Sequence, residues 1–235
     1  VKDNVYRITS LEGVFCELLV GYEKAMLIDT GHGFGNLKET VRKITDKPLI
    51  IVNTHGHLDH VCGNAQFDEP VYIGSEDMEL CRIHTSKEYR MAVAKNAENV
   101  MDWQTGKTVY GLPEDFELEK YLSYGSGSLV PCEEGQVFDL GGMTIRVYAT
   151  PGHTKGGRSF YYEELKWLYT GDAVCPIVWL FMPESTDRKT HIATLDKVLS
   201  LPVERVYSGH NPMPATLEDV MLYKKVALEA DYEKG

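Results

Sequence analysis

The chain has no run of eighteen or more apolar residues and no block of lysine or arginine among its 235 residues. Because a membrane-spanning helix needs about 20 consecutive apolar residues, we expect no membrane association. The 35 acidic residues outnumber the 24 basic ones, giving a formal net charge of −11 that argues against nucleic acid as a partner. The stretch VKDNVYRITS lacks the basic and then apolar pattern of a secretory signal, so a cytoplasmic location is expected.

Cysteine is scarce, and its pattern argues against a disulfide framework. The five cysteines are odd in number, widely scattered and form no C-x-x-C pair. Reduced thiols in a reducing compartment are the simplest interpretation. Internal repeats and low-complexity tracts are also absent, and 43% of the residues are hydrophobic, which is enough for a substantial core. We therefore expect a single domain over residues 1–235, with an insertion at about 84–128.

Strand and helix patterns occur in two successive sets. The first has strands at NVYRIT, VFCELLVG, AMLIDTG, PLIIV and VYIG, with helices at NLKETVRKI and SEDMELCRI, the latter with Ser75 as its expected N-cap. The second has strands at QVFDL, MTIRVYAT, SFYY, KWLYTG and RVYSG, with helices at HIATLDKVLSL and from about Ala215. Two sheets packed together with helices outside would bury both sets, so the pattern predicts an α/β protein.

The stretch NTHGHLDH, residues 53–60, places three histidines and an aspartate directly after the apolar run PLIIV. His55 and His57 are two residues apart, so in an extended loop their side chains leave from the same side and can bind one ion. Asp59 and His60 fall where a helix is expected to start, which turns them toward a different point. Four metal-capable side chains at this spacing indicate a metal site.

Three more such residues follow later strands, each near a glycine: His153 in ATPGHTKGG, Asp172 in LYTGDAV and His210 in VYSGH. These are positions where an α/β scaffold presents functional groups. With them the sequence resembles the metallo-β-lactamase fold superfamily, whose signature is H-x-H-x-D-H followed by a distant His, a distant Asp and a final His. The resemblance extends over nearly the whole chain, and residues 84–128 fit it least.

This resemblance implies a four-layer αββα sandwich with a partly helical insertion. It also implies two divalent metal ions, zinc above all, with iron or manganese as alternatives. The seven implied ligands are, for the first ion, His55, His57 and His153, for the second Asp59, His60 and His210, and between them Asp172. Asp29 in LIDTG matches a position whose side chain supports the ligands without binding the metal itself. An ordinary turn at the end of a strand would have nearly the same geometry.

Two such ions can lower the pKa of a shared water toward about 7, so a serine or cysteine nucleophile is not required. We therefore expect a metallo-hydrolase that cleaves a small ester, thioester or lactone, with a metal-bound hydroxide as nucleophile and Asp59 as the catalytic side chain. The alternative is a non-haem iron oxidoreductase of the same fold, flavodiiron-like or persulfide dioxygenase-like. Flavodiiron relatives usually carry Glu where His57 stands, and persulfide dioxygenases leave the second position unused.

The resemblance constrains the substrate less than the metal, because this scaffold supports many chemistries. Lactonases acting on acyl-homoserine lactones often have a tyrosine three residues after the bridging aspartate, and Cys175 stands there. After His210, the short basic segment YKK is not enough to identify a binding site for glutathione. A metal-binding module without catalysis is disfavoured, since all seven ligand positions are filled.

Several residues outside the motif are candidates for other roles. His32, His84 and His191 are expected at the surface or in turns rather than as ligands, with His32 close enough to Asp29 to reach the rim of the site. Cys62 and Cys175 could line the site but are expected to be small buried hydrophobes rather than catalytic thiols.

Two apolar segments are candidates for a pocket that receives a small-molecule substrate. One is CPIVWLFMP, which contributes Cys175, Trp179, Phe181 and Met182, and the other is YRMAVAKNAENVMDW, which contributes Met91 and Trp103. They could wall the cleft above the metals as a lid. Packing on the outer face of the sandwich, or on a second subunit in a homodimer, would explain the same apolar stripe.

Overall fold

The computed structural model describes residues 4–10, 13–97, 100–101 and 108–230, apart from the side chains of residues 100–101 and 108–110. Within these ranges the strands are β1 Val5–Thr9, β2 Phe15–Val20, β3 Ala25–Ile28, β4 Leu49–Val52, β5 Val71–Ile73, β6 Val100–Met101, β7 Thr108–Tyr110, β8 Leu129–Pro131, β9 Val137–Asp139, β10 Thr144–Ala149, β11 Arg158–Tyr162, β12 Trp167–Gly171 and β13 Arg205–Ser208. The α-helices are α1 Leu37–Ile44, α2 Leu58–Val61, α3 Met78–His84, α4 Lys87–Ala97, α5 Leu118–Ser123, α6 Arg188–Ser200 and α7 Leu217–Glu229. None of the described helices is long and apolar enough to span a bilayer.

Two sheets hold most of the strands. The first has the order β1-β2-β3-β4-β5-β8, antiparallel from β1 to β3 and parallel from β3 to β8. The second has the order β13-β12-β11-β10-β9, antiparallel except for the parallel pair β12 and β13. The short strands β6 and β7 pair with each other. The expected antiparallel start and the later switch to β-α-β connections are both present.

Three apolar layers hold the sheets and helices together. The sheets face each other through a buried cluster that includes Leu19 and Phe160. Helix α1 places Val41 on the outer face of the first sheet, and α6 and α7 place Leu195 and Val220 on the outer face of the second. The order helix, sheet, sheet, helix confirms the α/β sandwich. Because each sheet is covered on both faces, strands such as LIIV are continuously apolar.

The chain departs from the expected pattern on either side of the insertion. The assignment of Ser75 as an N-cap is wrong, because Ser75–Asp77 form a 3₁₀ turn and α3 begins at Met78. Asp77 occupies the N-cap position, but its carboxylate accepts hydrogen bonds from two distant loops instead of capping the helix. Strand β8, which the pattern did not predict, pairs in parallel with β5.

The strand directions bring the functional segments to one edge of the sandwich. Strands β3 and β4 are parallel, so Asp29 and the loop after β4 emerge at the same side of the first sheet. In the second sheet β10 and β12 are both antiparallel to β11, and β13 is parallel to β12, so all three end at one edge. The edges meet where Phe15 N–H donates to Gly209 O at 2.9 Å and Arg158 N–H donates to Thr54 O at 2.8 Å.

One buried ion pair makes stability depend on pH. Glu17 on β2 is 5% exposed and lies 2.8 Å from the Nε atom of Arg7. Burial raises the pKa of Glu17 from 4.5 to about 7, and Arg7 opposes the shift only in part. A carboxyl group with a raised pKa holds its proton to a higher pH in the folded chain than in the unfolded chain. Its contribution to the free energy of unfolding is therefore full below pH 4.5 and is lost as pH rises toward 7.

We therefore expect Glu17→Gln to remove this dependence. As pH rises from 4.5 to 8, the free energy of unfolding of the variant should increase relative to that of the parent by up to about 3 kcal/mol. Urea unfolding at both pH values measures it. Glu163→Gln, which alters the more exposed pair with Arg146, is the control and should show no such change. A parallel pH dependence in parent and Glu17→Gln would contradict the prediction.

Candidate metal centre

The first group of ligand atoms consists of three buried imidazoles. One ring nitrogen from each of His55, His57 and His153 lies within 4.8 Å of the others. The loop after β4 supplies two of these rings and the loop after β10 supplies the third. Burial lowers the pKa of His57 to about 4 and holds the pKa of His55 well below its usual value. Both rings are therefore neutral near pH 7, which is the form that binds a metal.

The second group combines carboxylates with imidazoles. Asp59 and His60 on α2, together with Asp172 after β12 and His210 after β13, place one ligand atom each within 4.8 Å of the others. His210 Nε2 lies 3.1 Å from Asp172 Oδ2 and 3.3 Å from Asp59 Oδ2. Burial opposes the charge on His210, but its hydrogen bonds to the two carboxylates raise its pKa to about 9. The carboxylates thus create a point that favours positive charge.

Asp172 contacts both groups. Its Oδ1 atom lies 3.5 Å from His60 Nε2, and its Oδ2 atom lies 3.7 Å from His153 Nε2. Four buried polar atoms at this junction have no hydrogen-bond partner, namely His55 Nε2, His60 Nε2, His153 Nε2 and Asp172 Oδ1. Unsatisfied buried polar atoms are costly, and nitrogen and oxygen donors that converge in this way suit a divalent ion. The residues present therefore fit two metal ions.

Neighbouring polar groups fix the orientation of the rings. Asp29 Oδ2 lies 2.8 Å from His60 Nδ1, and the same carboxylate accepts from the backbone N–H and the hydroxyl of Thr54. The Thr54 hydroxyl in turn lies 3.0 Å from His55 Nδ1. Asp29 has a φ of 63°, a left-handed conformation that these hydrogen bonds help to hold. Such partners leave the opposite nitrogen of each ring free for a metal.

Asp77 ties together the loops that carry the first group. Its carboxylate accepts from the backbone N–H of Gly56 at 3.0 Å and from that of Gly156 at 2.7 Å. A Cβ atom at Gly156 would lie 2.5 Å from the Asp77 carboxyl, so only glycine allows this approach. Sequence reasoning missed Asp77, because its partners are distant in the chain and its own context, the start of a helix, suggested only a cap.

A cleft of about 740 Å³ opens above the two groups. Asp59, His153, Asp172 and His210 lie along its floor, and its lining also includes Cys175, Pro176, Ile177, Trp179 and Met182. Phe181 is 78% exposed and packs on Trp179 beyond the lining, with ring centroids 5.6 Å apart. The cleft therefore has a polar floor and one apolar wall.

Within the described part of the insertion, His84 at its start lines the cleft. Met91 on α4 packs in a separate cluster with Phe34 and Tyr121 and is not among the residues that line the cleft. Phe34 stacks on His32, which does line it, with ring centroids 5.5 Å apart. Trp103 lies outside the described residues.

The expectation of surface or turn positions is wrong for His84 and His191. His84 ends α3, is buried, and stacks on His57 with ring centroids 5.4 Å apart. His191 is buried on the face of α6 that packs against Gly152. Both are single residues on the buried faces of helices, and a single residue gives no periodic signal of burial. None of the three non-motif histidines belongs to the two ligand groups among the described residues.

The residues that form this site carry a recognised sequence pattern. A family model described as the metallo-beta-lactamase superfamily matches residues 11–210. The chain belongs to the metallo-beta-lactamase superfamily. Membership confirms the expected fold and the expected enzyme class, so the chain is a metallo-hydrolase of this superfamily. It also implies divalent metal ions, for which the two histidine-rich groups are suited.

Relatives within the superfamily are distant. The human acyl-coenzyme A thioesterase MBLAC2 is 26% identical over 213 residues, which cover 82% of this chain and 71% of the relative. A hydroxyacylglutathione hydrolase from Brucella ovis is 27% identical over 161 residues, 68% of this chain and 47% of the relative. The crystal structure of TTHA1623 in a di-iron-bound form has a TM-score of 0.63 and 28% identity, and the match covers 91% of this chain and 96% of that one.

The two cysteines beside the motif are expected to be dispensable. Burial raises the pKa of the Cys175 thiol to about 12, and its Sγ donates to the carbonyl oxygen of Ile177 at 3.0 Å. Cys62 is fully buried, and its Sγ donates to the carbonyl oxygen of His84. A thiol with a raised pKa is a poor nucleophile. We expect Cys175→Ala and Cys62→Ala to keep kcat/KM within about threefold of the parent.

Steady-state hydrolysis of a thioester, with metal content measured on the same samples, checks this. A large loss of turnover in either variant with metals retained would show that a thiol takes part in the reaction.

Proposed function

We propose that this protein is a dinuclear metal-dependent hydrolase of small thioesters. The observation that carries the proposal is the meeting of two ligand groups at Asp172, at the floor of a cleft with one apolar wall. The activities of two relatives, an acyl-coenzyme A thioesterase and a hydroxyacylglutathione hydrolase, support thioesters over other esters. Zinc is the proposed metal because imidazole and carboxylate donors suit it, and the same donors also accept iron or manganese.

The proposed roles follow from the two groups. The three imidazoles of the first group would hold one ion, the second group would hold the other, and Asp172 would contact both. When bound, the ions supply an activated water as nucleophile and polarise the scissile carbonyl. Asp59 borders the cleft, and its pKa is held well below the usual range, since His60 and His210 outweigh the effect of burial. Its ionised carboxylate can accept a hydrogen bond from the attacking water and so orient it.

The remainder of the cleft suits the two halves of a thioester. The wall of Pro176, Ile177, Trp179 and Met182 can pack against an apolar acyl group, and Met adapts to irregular shapes. A thiol has a pKa of about 8.5, so a thiolate leaves readily and needs no dedicated general acid. The five free cysteines fit a reducing compartment such as the proposed cytoplasm.

The test is a substrate panel combined with elemental analysis of protein purified without added metal. The panel contains a thioester, an oxygen ester, a lactone, a phosphodiester and a β-lactam, matched in acyl group where the chemistry allows. We expect two metal ions per chain and a kcat/KM for the thioester at least about a hundredfold above the others. One iron per chain, with oxygen consumption on a persulfide, would instead establish the oxidoreductase alternative. A preference for the lactone would overturn the substrate class alone.

A further inference from the structure

The apolar wall of the cleft belongs to a segment that also contacts two ligand rings. We define the rim loop as residues 175–187, between the residues that follow β12 and the start of α6. It contributes Ile177, Trp179 and Met182 to the cleft. Ile177 is 76% exposed, so the wall itself has little packing to hold it in place. Its position therefore depends on hydrogen bonds elsewhere in the rim loop.

Glu184 in the rim loop contacts His57. Its Oε1 atom lies 2.9 Å from His57 Nε2, and both side chains are largely buried. A carboxylate can only accept a hydrogen bond, so this contact uses the Nε2–H of the ring. The Nδ1 atom is then the nitrogen available to a metal. Without Glu184, nothing in this contact would favour one tautomer.

The backbone of the rim loop contacts His153 in the same manner. His153 Nδ1 lies 3.0 Å from the carbonyl oxygen of Trp179, which leaves Nε2 for the metal. The Ser185 hydroxyl donates to the His153 carbonyl at 2.8 Å, and the Lys155 N–H donates to the Glu184 carbonyl at 3.1 Å. Two of the three rings in the first group are thus oriented from the rim loop.

We propose that Glu184 is a positioning residue for His57, and that through it and the Trp179 carbonyl the first metal position and the substrate-facing rim loop order one another. The inference rests on the proposed metal site. A metal bound at Nδ1 of His57 would fix the ring and make Nε2–H a stronger donor to Glu184. By reciprocity, a rim loop held in place by these contacts presents the rings in the orientation that binds the ion.

The experiment begins with the full chain loaded with Zn²⁺ and removes the metal with increasing chelator. Zinc remaining per chain reports affinity, and tryptophan emission reports the rim loop. Comparison with Trp179→Phe identifies the part of the emission that comes from the rim loop, because this variant keeps the other two tryptophans, Trp103 and Trp167. The series is repeated in a His210→Ala background, which leaves the first group as the only complete one. Thermal unfolding of each variant shows whether it remains folded.

Glu184→Ala should lose zinc from the first position at a chelator concentration about 10 to 100 times lower than the parent. Glu184→Gln keeps a neutral oxygen that still accepts from Nε2–H, so it should be intermediate, and it serves if the alanine variant fails to fold. Glu204→Gln, which alters an exposed pair with Lys166 away from the site, is the matched control and should behave as the parent. Emission from Trp179 should change as the first position empties.

Unchanged zinc affinity in both Glu184 variants, or Trp179 emission that is the same with and without zinc, would overturn the coupling. A parent that binds no Zn²⁺ would overturn the proposed metal function, and the inference with it. These results are distinguishable, because the first appears only in the variants or the emission, whereas the second appears in the parent.

Discussion

Asp172→Asn is expected to lower kcat/KM for thioester hydrolysis by at least about a thousandfold. The oxygens of Asp172 lie 3.5 Å from His60 Nε2, 3.1 Å from His210 Nε2 and 3.7 Å from His153 Nε2, so this one side chain borders both ligand groups. Asparagine keeps the shape but removes the negative charge. Asp59 would then be the only carboxylate in the second group, so metal content should fall together with turnover.

Kinetics and elemental analysis on the same preparation measure both effects. Asp68→Asn is the control, because the Asp68 side chain is 93% exposed and pairs only at the surface with Lys38. It should match the parent in both measurements. Substantial turnover in Asp172→Asn would mean that the reaction does not depend on the junction between the two groups.

His210→Ala is expected to empty the second metal position while the first remains filled, leaving about one ion per chain and lowering kcat/KM by roughly a hundredfold or more. The His210 side chain is 43% exposed, so its removal should cost little stability. His60 is a poorer choice for this test, because it is fully buried and bonded to Asp29.

His153→Ala is the matched variant, because it removes one imidazole from the first group instead. Elemental analysis across a chelator series should show the first position weakened in this variant and the second position weakened in His210→Ala. Loss of the first ion alone in His210→Ala would contradict the division of ligands.

Local patterns were enough to predict most of the fold and the principal site residues. Buried strands such as LIIV have a composition that only a covered strand explains, and His55 and His57 are close enough in sequence for their spacing to carry meaning. The distant residues His153, Asp172 and His210 were candidates because each follows an apolar strand near a glycine, and only the resemblance to the metallo-β-lactamase superfamily implied that they are ligands.

The supporting residues could not be predicted in the same way. Glu184 lies 127 positions from His57, and Asp77 lies 79 positions from Gly156, so neither contact leaves a local pattern. The partner of His153 is the backbone carbonyl of Trp179, which any residue could supply. These contacts follow from how loops of the two sheets meet, and no local pattern in the sequence reveals that arrangement.

The division of the ligands between the two sheets has a consequence for how the protein is made. The first sheet carries the candidate ligands His55, His57, Asp59 and His60, whereas the other three candidates emerge from the second sheet, after residue 150. During synthesis the ribosome releases the first set long before the second. A nascent chain can therefore hold an ion only through an incomplete and loosely organised set of donors. Metal insertion should therefore be a late step of maturation, after the segment that carries His153, Asp172 and His210 has been synthesised.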